Sequence, residues 1–444
     1  MQILYPSPII TGQQKKKAEA AYRLMHYVVK QEVEEGVLLY NTLTCALALV
    51  THEEAQHLVE VDGLVENWFL VPVEHNDMKL CKMLKVGLKL KQQTPEGIGN
   101  YTIVTTTGCN ARCAYCFEKG TKPVNMTSET AEQVAQYIVS HRGEHEKVKI
   151  SWFGGEPLYN FKVMDRICTR LTEQNVRFYS SIITNGYLFN EKMVEKAVQL
   201  WHLKRAQVTL DGTEQNYNRI KAFVHRNEQS PFQRVLANIG LLIKQGIKVS
   251  VRLNICNDNA KDMEELIKLL AERFKDQKLF SINIHRLFEQ FGPEAESLSS
   301  EKRAELFREI RRLEDYGYQL GVLKPKKLNQ KLRLSNCKVD NENSVMILPD
   351  GHLGLCEHYI DSRFIGHIDD EEWNQEEVKK QREYRKEIPE CDTCALYPTC
   401  HRLKICDEHE ICYPEEREYQ ITTIQRQMRN DYRRLKHEKN NQST

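Results

Sequence analysis

Between residues 101 and 287, apolar, β-branched stretches alternate with segments of helical spacing, and this rhythm constrains the fold more than any other feature of the chain. The apolar stretches are Tyr101–Thr107, Val148–Phe153, Phe178–Thr184, Ala206–Leu210, Lys248–Ile255 and Phe280–Arg286. Between them Ser128–His141, Asn160–Glu173, Glu191–Trp201, Pro231–Gln245 and Ala260–Lys275 carry the helical pattern, the first with Thr127 or Ser128 as N-cap. Strands in series with helices between them predict a parallel sheet curled into a barrel or part-barrel. Six strands fall short of the eight that close a TIM barrel. A doubly wound open sheet gives the same rhythm, so periodicity leaves both open. In either architecture, functional groups gather at the C-terminal strand ends.

The first stretch runs into Cys109-x3-Cys113-x2-Cys116. Three thiolates this close can cap three irons of a [4Fe–4S] cluster and leave the fourth without a protein ligand. A zinc site normally takes a fourth nearby Cys or His, and the immediate run holds none. An incidental cysteine group or a disulfide is the plainer alternative. With Tyr115 before the last cysteine and Phe117 after it, the segment resembles the radical S-adenosylmethionine (SAM) superfamily. The resemblance implies a (β/α)6 partial barrel, TIM-like but open. It also implies that the open iron chelates the amino and carboxylate groups of SAM. One electron would cleave SAM to methionine and a 5′-deoxyadenosyl radical, with Tyr115 near the adenine.

Other strand ends carry further candidates. Gly154-Gly155-Glu156-Pro157 matches the family's GGEP motif, which implies that the backbone and the Glu156 carboxylate receive the methionine ammonium. Two glycines allow close backbone approach, although a Gly-Gly turn before a helix is the ordinary reading of such a pair. Thr184-Asn185-Gly186 ends the third strand, and the resemblance makes Ser181, Thr184 and Asn185 candidates for the SAM ribose and carboxylate. Turn chemistry explains Asn-Gly equally well. Asp211-Gly212-Thr213 resembles the LDG segment of peptide-modifying members, so Asp211 is the candidate catalytic residue, to bind substrate or orient another side chain, with turn capping as its alternative. Arg252 and Asn254, two apart in a strand, share a face, and Arg252 is a candidate donor to the SAM carboxylate.

A balance of 63 basic against 62 acidic residues gives no global field for nucleic acid or anionic membrane. No apolar run approaches bilayer length. The opening MQILYPSPIITGQQKKK lacks the order of a secretory signal. Fourteen cysteines in such a chain point to metal or redox chemistry in a reducing compartment. The expectation is a cytoplasmic protein with neither nucleic-acid nor membrane partners.

A second array comprises Cys337, Cys356, Cys391, Cys394, Cys400, Cys406 and Cys412. A zinc ribbon needs two CxxC pairs and one is present, while His352, His358, His401 and His409 keep a zinc site open. The layout resembles the SPASM extension of radical SAM maturases, which implies two auxiliary [4Fe–4S] clusters. By that pattern Cys391, Cys394, Cys400 and Cys412 ligate one. Cys337, Cys356 and Cys406 ligate the other, leaving an open iron. The family usually places three residues between the third and fourth cysteines of the tight run, whereas five separate Cys400 from Cys406. Cys45, Cys81, Cys168 and Cys256 fit no cluster spacing and read as structural thiols.

Tyr27–Val33 and Val37–Thr44 predict strands around Glu34-Glu35-Gly36, followed by helices over His52–Val59 and Asn76–Lys89. This stretch resembles the winged-helix-like α+β domain that binds leader peptides, with a plain α+β cap as the alternative. The expected organisation is 1–95 leader recognition, 96–290 partial barrel, 291–336 helical connector, 337–413 Cys-rich SPASM-type domain and 414–444 helical tail. The expected function is a radical SAM peptide maturase acting on a ribosomally made precursor peptide with a leader segment. It would form cysteine thioether crosslinks and take electrons from a flavodoxin or ferredoxin. Carbon–carbon crosslinking, epimerisation and sulfatase active-site oxidation are rival outcomes, and a non-catalytic iron–sulfur or zinc scaffold is the rival class.

Overall fold

The computed structural model describes residues 1–10, 20–92, 95–116, 118–224, 229–256, 259–287, 298–335, 337–383, 387–400 and 412–442. The chain forms two compact units: Met1–Gln93 with Pro325–Cys337 and Tyr384–Thr444, and Thr94–Lys324 with Lys338–Glu383.

The first unit opens with β1 (Gln2–Tyr5), β2 (Tyr22–Leu24), β3 (Val28–Val33), β4 (Gly36–Asn41), β5 (Leu47–Val50), α1 (His52–Gln56), β6 (Leu70–Pro72) and α2 (Asp77–Lys91). Antiparallel pairing gives the sheet order β1-β5-β4-β3, with β2 and β6 paired separately. The unbroken apolar run of β4 follows from burial on both faces. Val37 and Leu39 enter one core with Phe69 and Leu70, while Leu38 and Tyr40 enter another. Thr51 and Glu54 form a capping box on α1, and Asn76 Oδ1 accepts from Lys79 N at 2.8 Å to start α2.

The second unit is built on β7 (Asn100–Val104), α3 (Ser128–His141), β8 (Lys147–Phe153), α4 (Phe161–Glu173), β9 (Arg177–Thr184), α5 (Glu191–Gln199) and β10 (Leu203–Leu210). It continues through α6 (Glu214–Lys221), α7 (Pro231–Lys244), β11 (Lys248–Ile255), α8 (Ala260–Phe274), β12 (Phe280–Arg286) and α9 (Ser300–Gln319). All six expected strands and five expected helices are present; α6 is additional. Strands β7 to β12 are parallel, each bonded to its neighbour in sequence. A doubly wound sheet reverses its strand order at a switch point, and this one does not. The winding is therefore of the barrel type. β12 is a sheet edge, while the far side of β7 pairs with β13 (Ser344–Ile347), so β7 and β12 do not close on each other. Antiparallel β14 (His352–Gly354) and β15 (Gly366–His367) extend the sheet to nine strands, and α10 (Gln375–Glu383) follows.

Side-chain alternation divides the two faces of this sheet. Val148, Ile150 and Trp152 of β8 are buried, and α4 buries Val163, Met164, Ile167, Cys168 and Leu171 at helical spacing. The other face carries Ser151, Ser181, Gln207, Thr209, Arg252 and Asn254, with Ser151 Oγ and Ser181 Oγ 3.2 Å apart. Apolar side chains thus fix the helices, leaving a polar inner face.

The tail is α11 (Pro414–Gln442). Met428, Ile421 and Ile424 pack with Leu38 and Tyr40, so the spaced apolar residues of the tail cover the second face of β4. The compact units cut across the expected 337–413 segment: Lys338–Glu383 joins the barrel unit, and the part from Tyr384 joins the N-terminal unit.

Asp77 anchors the first unit electrostatically. Its buried carboxylate accepts from Arg23 through both oxygens at 3.1 Å, from His26 N at 2.8 Å, and lies 2.7 Å from His75 Nδ1. Burial raises the carboxyl pKa, but the Arg23 and His75 hydrogen bonds prevail and hold it below its ordinary value. A depressed carboxylate contributes stability that is complete above the unfolded value and lost as pH falls through the folded one. Asp77→Asn is therefore expected to cost about 3 kcal/mol at pH 7. In urea denaturation the gap from the parent should shrink below about pH 4; a pH-independent gap would contradict this electrostatic origin.

Candidate active site

The loop after β7 carries Cys109, Cys113 and Cys116, and all three line one cavity of about 410 Å³. Thr106 Oγ1 accepts from Gly108 N at 2.8 Å and pairs with Asn125 Oδ1 at 2.6 Å. At the loop's far end Arg112 N donates to the Lys221 carbonyl at 2.9 Å. Among the described residues no group of three His, Cys, Asp or Glu is placed to hold a metal ion. The three thiols border the cavity instead, an arrangement that fits a multi-iron cluster, which spreads its thiolates over several metals. Burial, with the Glu156 carboxylate second, pushes the Cys109 thiol up to about 12. Metal binding at Cys109 would therefore release a proton.

The Gly-Gly turn after β8 packs backbone against backbone on the cysteine loop. Gly155 N donates to Thr106 O at 3.1 Å and Glu156 N to Gly108 O at 3.0 Å. A Cβ at Gly154, where φ is +137°, would stand 2.2 Å from Thr106 O, and one at Gly155 2.5 Å from Gly108 O. Both glycines line the cavity, and their close approach is also to the loop itself.

Glu156, the expected ammonium contact, is held by bonds within the chain. It is fully buried and does not line the cavity. Oε1 accepts from Leu158 N at 3.1 Å and Thr184 Oγ1 at 2.8 Å; Oε2 accepts from Asn185 N at 2.8 Å. Burial pushes its carboxyl up to about 7 against these donors. Glu156 thus fixes the end of β9 from behind the wall. Thr184 and Asn185 do line the cavity. Asn185 Nδ2 donates to Asn110 Oδ1 at 2.7 Å, tying it to the cysteine loop. Ser181, the other candidate on this strand, pairs with Ser151 and is not among the residues lining the cavity.

Asp211 also lies behind the wall. Oδ2 accepts from Tyr115 OH at 2.5 Å and stands 2.8 Å from Lys221 Nζ; Oδ1 accepts from Asn254 Nδ2 at 2.9 Å. Lys221 Nζ also donates to Tyr115 OH at 2.9 Å. Burial lowers the Lys221 pKa, but Asp211 and Tyr115 outweigh it and keep the ammonium charged. Asp211 therefore braces Tyr115 and Lys221. The shared strand face of Arg252 and Asn254 holds, with Arg252 Nε donating to Asn254 Oδ1 at 2.9 Å. Tyr115 and Arg252 both line the cavity.

Lys221 and Glu118 are among the further residues at the cavity. Lys221 ends α6 and lies one turn after buried Tyr217, a spacing the sequence displays once the helix is known. Glu118, two positions beyond Cys116, is buried with Oε2 unbonded, and burial pushes its carboxyl up to about 7. No local pattern marks it in the sequence.

In the first unit Cys391, Cys394 and Cys400 pack against the core that holds Phe69 and Cys81. Burial raises the Cys412 thiol to about 11. Cys337 is half-buried in this unit and Cys356 is buried in the other, while Cys406, His401 and His409 lie outside the described residues.

Residues 103–270 match the model of the Radical SAM superfamily. That family implies a [4Fe–4S] cluster and SAM, and the three-thiol cavity fits the cluster. An uncharacterized protein of Methanocaldococcus jannaschii is 27% identical over 177 residues, covering 39% of this chain and 59% of its own length. A GTP 3′,8-cyclase of Clostridium perfringens is 24% identical over 67% of this chain and 93% of its own. Native anSMEcpe with bound AdoMet (SAM) is similar in structure, with TM-score 0.56 at 16% identity over 77% of this chain and 99% of that one. Streptococcus suis SuiB bound to precursor peptide SuiA gives TM-score 0.51 at 13% identity over 86% and 95%. At these identities the structural likeness is one of fold. Among the described residues no helix is long and apolar enough to cross a membrane.

Proposed function

We propose that this chain is a radical SAM enzyme that modifies a ribosomally made peptide, forming a bond between a cysteine sulfur and a carbon of a nearby residue. The observation that carries this reading is the convergence of Cys109, Cys113, Cys116, the Gly154-Gly155 turn, Asn185 and Arg252 on one cavity. When bound, the cluster and SAM supply a carbon radical able to abstract hydrogen from an unactivated C–H bond. The chain's own contribution is positioning and exclusion. Tyr115, braced by Asp211 and Lys221, would stand beside the adenine of bound SAM. Arg252, held by Asn254, offers a donor to the SAM carboxylate. Phe153, Ile183 and Leu287 give the same cavity an apolar part.

Cys391, Cys394, Cys400 and Cys412 would hold one auxiliary cluster, and Cys337, Cys356 and Cys406 a second that takes the substrate thiolate. The neighbour with a bound precursor peptide supports a peptide substrate. Beside β3, a groove of about 620 Å³ lined by Lys30, Val37, Leu39, His52 and Leu58, and bordered by Gln425 of α11, which donates to Lys30 O at 2.9 Å, would take a leader segment. A flavodoxin or ferredoxin would supply electrons, in keeping with a cytoplasmic setting.

Mass spectrometry of a candidate precursor peptide co-produced with this protein tests the reading. A loss of two hydrogens per crosslink is expected; an unchanged mass with every candidate would favour another substrate class. Cys356→Ala is expected to abolish crosslinking while 5′-deoxyadenosine formation persists. Complete crosslinking by a variant shown to lack that auxiliary cluster would contradict the thiolate assignment.

A further inference from the structure

Of the acids at the cavity bordered by Cys109, Cys113 and Cys116, or behind its wall, Glu156, Asp211 and Glu357 are served by the chain's own groups. Glu156 accepts from Leu158, Thr184 and Asn185, and Asp211 from Tyr115 and Asn254 beside the Lys221 ammonium. Glu357 Oε2 accepts from Lys338 Nζ at 2.7 Å. Glu118 differs. It is 9% exposed and lines the cavity, and its enclosed Oε2 has no hydrogen-bond partner among the described residues. Of the buried side-chain atoms in that condition, it is the one whose residue lines this cavity.

The backbone holds this side chain in place. Lys119 N donates to Cys116 O and Thr121 N to Glu118 O, each at 3.1 Å, so Glu118 sits in a run of turns rather than on a free arm. A buried carboxyl oxygen without a donor costs stability. A fold keeps such a cost where function needs the group, and here a ligand in the cavity can supply the donor. Either protonation state leaves a carboxyl oxygen able to accept, so the missing partner is an N–H or O–H group. On the reading above, bound SAM meets Tyr115 at its adenine and Arg252 at its carboxylate. A peptide entering the same cavity brings one backbone N–H with nearly every residue, and each must find an acceptor once water is displaced.

We propose that Glu118 binds the peptide substrate, its carboxyl oxygen accepting a hydrogen bond from the backbone N–H of the residue whose C–H bond is broken. The inference rests on the peptide reading above. The bond holds that residue's carbon within reach of the radical, and no covalent step takes place at Glu118. Because the contact is to backbone, it sets position without selecting a side chain.

The test uses the full-length protein, reconstituted anaerobically with iron and sulfide, and the precursor peptide that shows the two-hydrogen loss described above. The readout is crosslinks formed per 5′-deoxyadenosine. Glu118→Leu should lower that ratio about tenfold or more, because the radical then forms with the peptide carbon out of place. Glu118→Gln keeps an accepting amide oxygen of the same reach and should stay within about threefold of the parent. N-methylation of the peptide residue that loses hydrogen removes the donor. It should cost the parent about the same factor and Glu118→Leu little more, the non-additivity of one shared bond. The urea midpoint of Glu118→Leu should equal or exceed the parent's, since leucine removes a buried oxygen that lacked a partner. Intact coupling in Glu118→Leu, or additive effects of the two changes, would overturn the proposal. A fall in S-adenosylhomocysteine affinity as large as the fall in coupling would move the contact to SAM and overturn it too. A lowered urea midpoint with coupling intact would make the carboxyl structural. If no candidate peptide loses hydrogen, the peptide reading itself fails, and this inference with it.

Discussion

Cys113→Ala is expected to abolish 5′-deoxyadenosine formation and to lower bound iron by about one cluster's worth, with little change in overall stability. Cys113 is half-buried on the cavity wall and sits in a loop whose shape is fixed by other bonds. Gly108 N, Arg112 N and Asn110 Oδ1 hold that loop to Thr106, Lys221 and Asn185, none of them through Cys113. Removing one sulfur therefore leaves the fold in place and takes away one of three cluster ligands. Two thiolates hold a cuboidal cluster poorly, and a lost cluster leaves no electron source for SAM cleavage. The checks are iron and sulfide analysis beside quantified 5′-deoxyadenosine under anaerobic dithionite reduction. Full cleavage by the variant would separate this cavity from the chemistry assigned to it.

Lys221→Met is expected to destabilise the barrel unit by about 3–5 kcal/mol. Lys221 is 4% exposed, and its ammonium faces Asp211 and Tyr115. Methionine fills similar space but leaves the Asp211 carboxylate buried, with Asn254 and Tyr115 as its remaining partners. The cost is that of an uncompensated buried charge rather than of lost packing. Adding Asp211→Asn removes that charge, so the double variant should recover most of the loss, and the non-additivity measures the pair. Urea denaturation of the four proteins closes the cycle. Additive costs would show that the ion pair is not coupled as its geometry requires. The same lysine braces Tyr115, so SAM affinity should fall with Lys221→Met even at temperatures where the variant is fully folded.

The strand and helix rhythm was legible because the barrel asks each segment for one face of its own period, and β8 and α4 show that face clearly. The winding was not legible, because strand adjacency depends on which edges pair and the apolar pattern is the same either way. The added strands β13 to β15 were hidden for a similar reason. Ser344–Ile347 is short and buried throughout, and nothing local says that it pairs with β7. Cys109, Cys113 and Cys116 were readable because close ligand spacing is a property of the chain itself. Glu156 and Asp211 were readable as residues of the site, and orienting another side chain was one of the roles open to Asp211, but the partners of each were not readable. Their sequence neighbours place them at strand ends, while the direction of each side chain is set by donors from other strands. Lys221 brings its charge from a helix ten residues beyond Asp211, where only the folded chain shows the pair.

The account depends most on the cavity bordered by Cys109, Cys113 and Cys116 being a place where SAM is cleaved. The measurement is anaerobic incubation of the iron- and sulfide-reconstituted protein with SAM and dithionite, followed by quantification of 5′-deoxyadenosine and methionine. The account predicts both products in equal amounts and dependence on iron. Tightly bound zinc, or bound iron–sulfur clusters with SAM recovered intact, would contradict it.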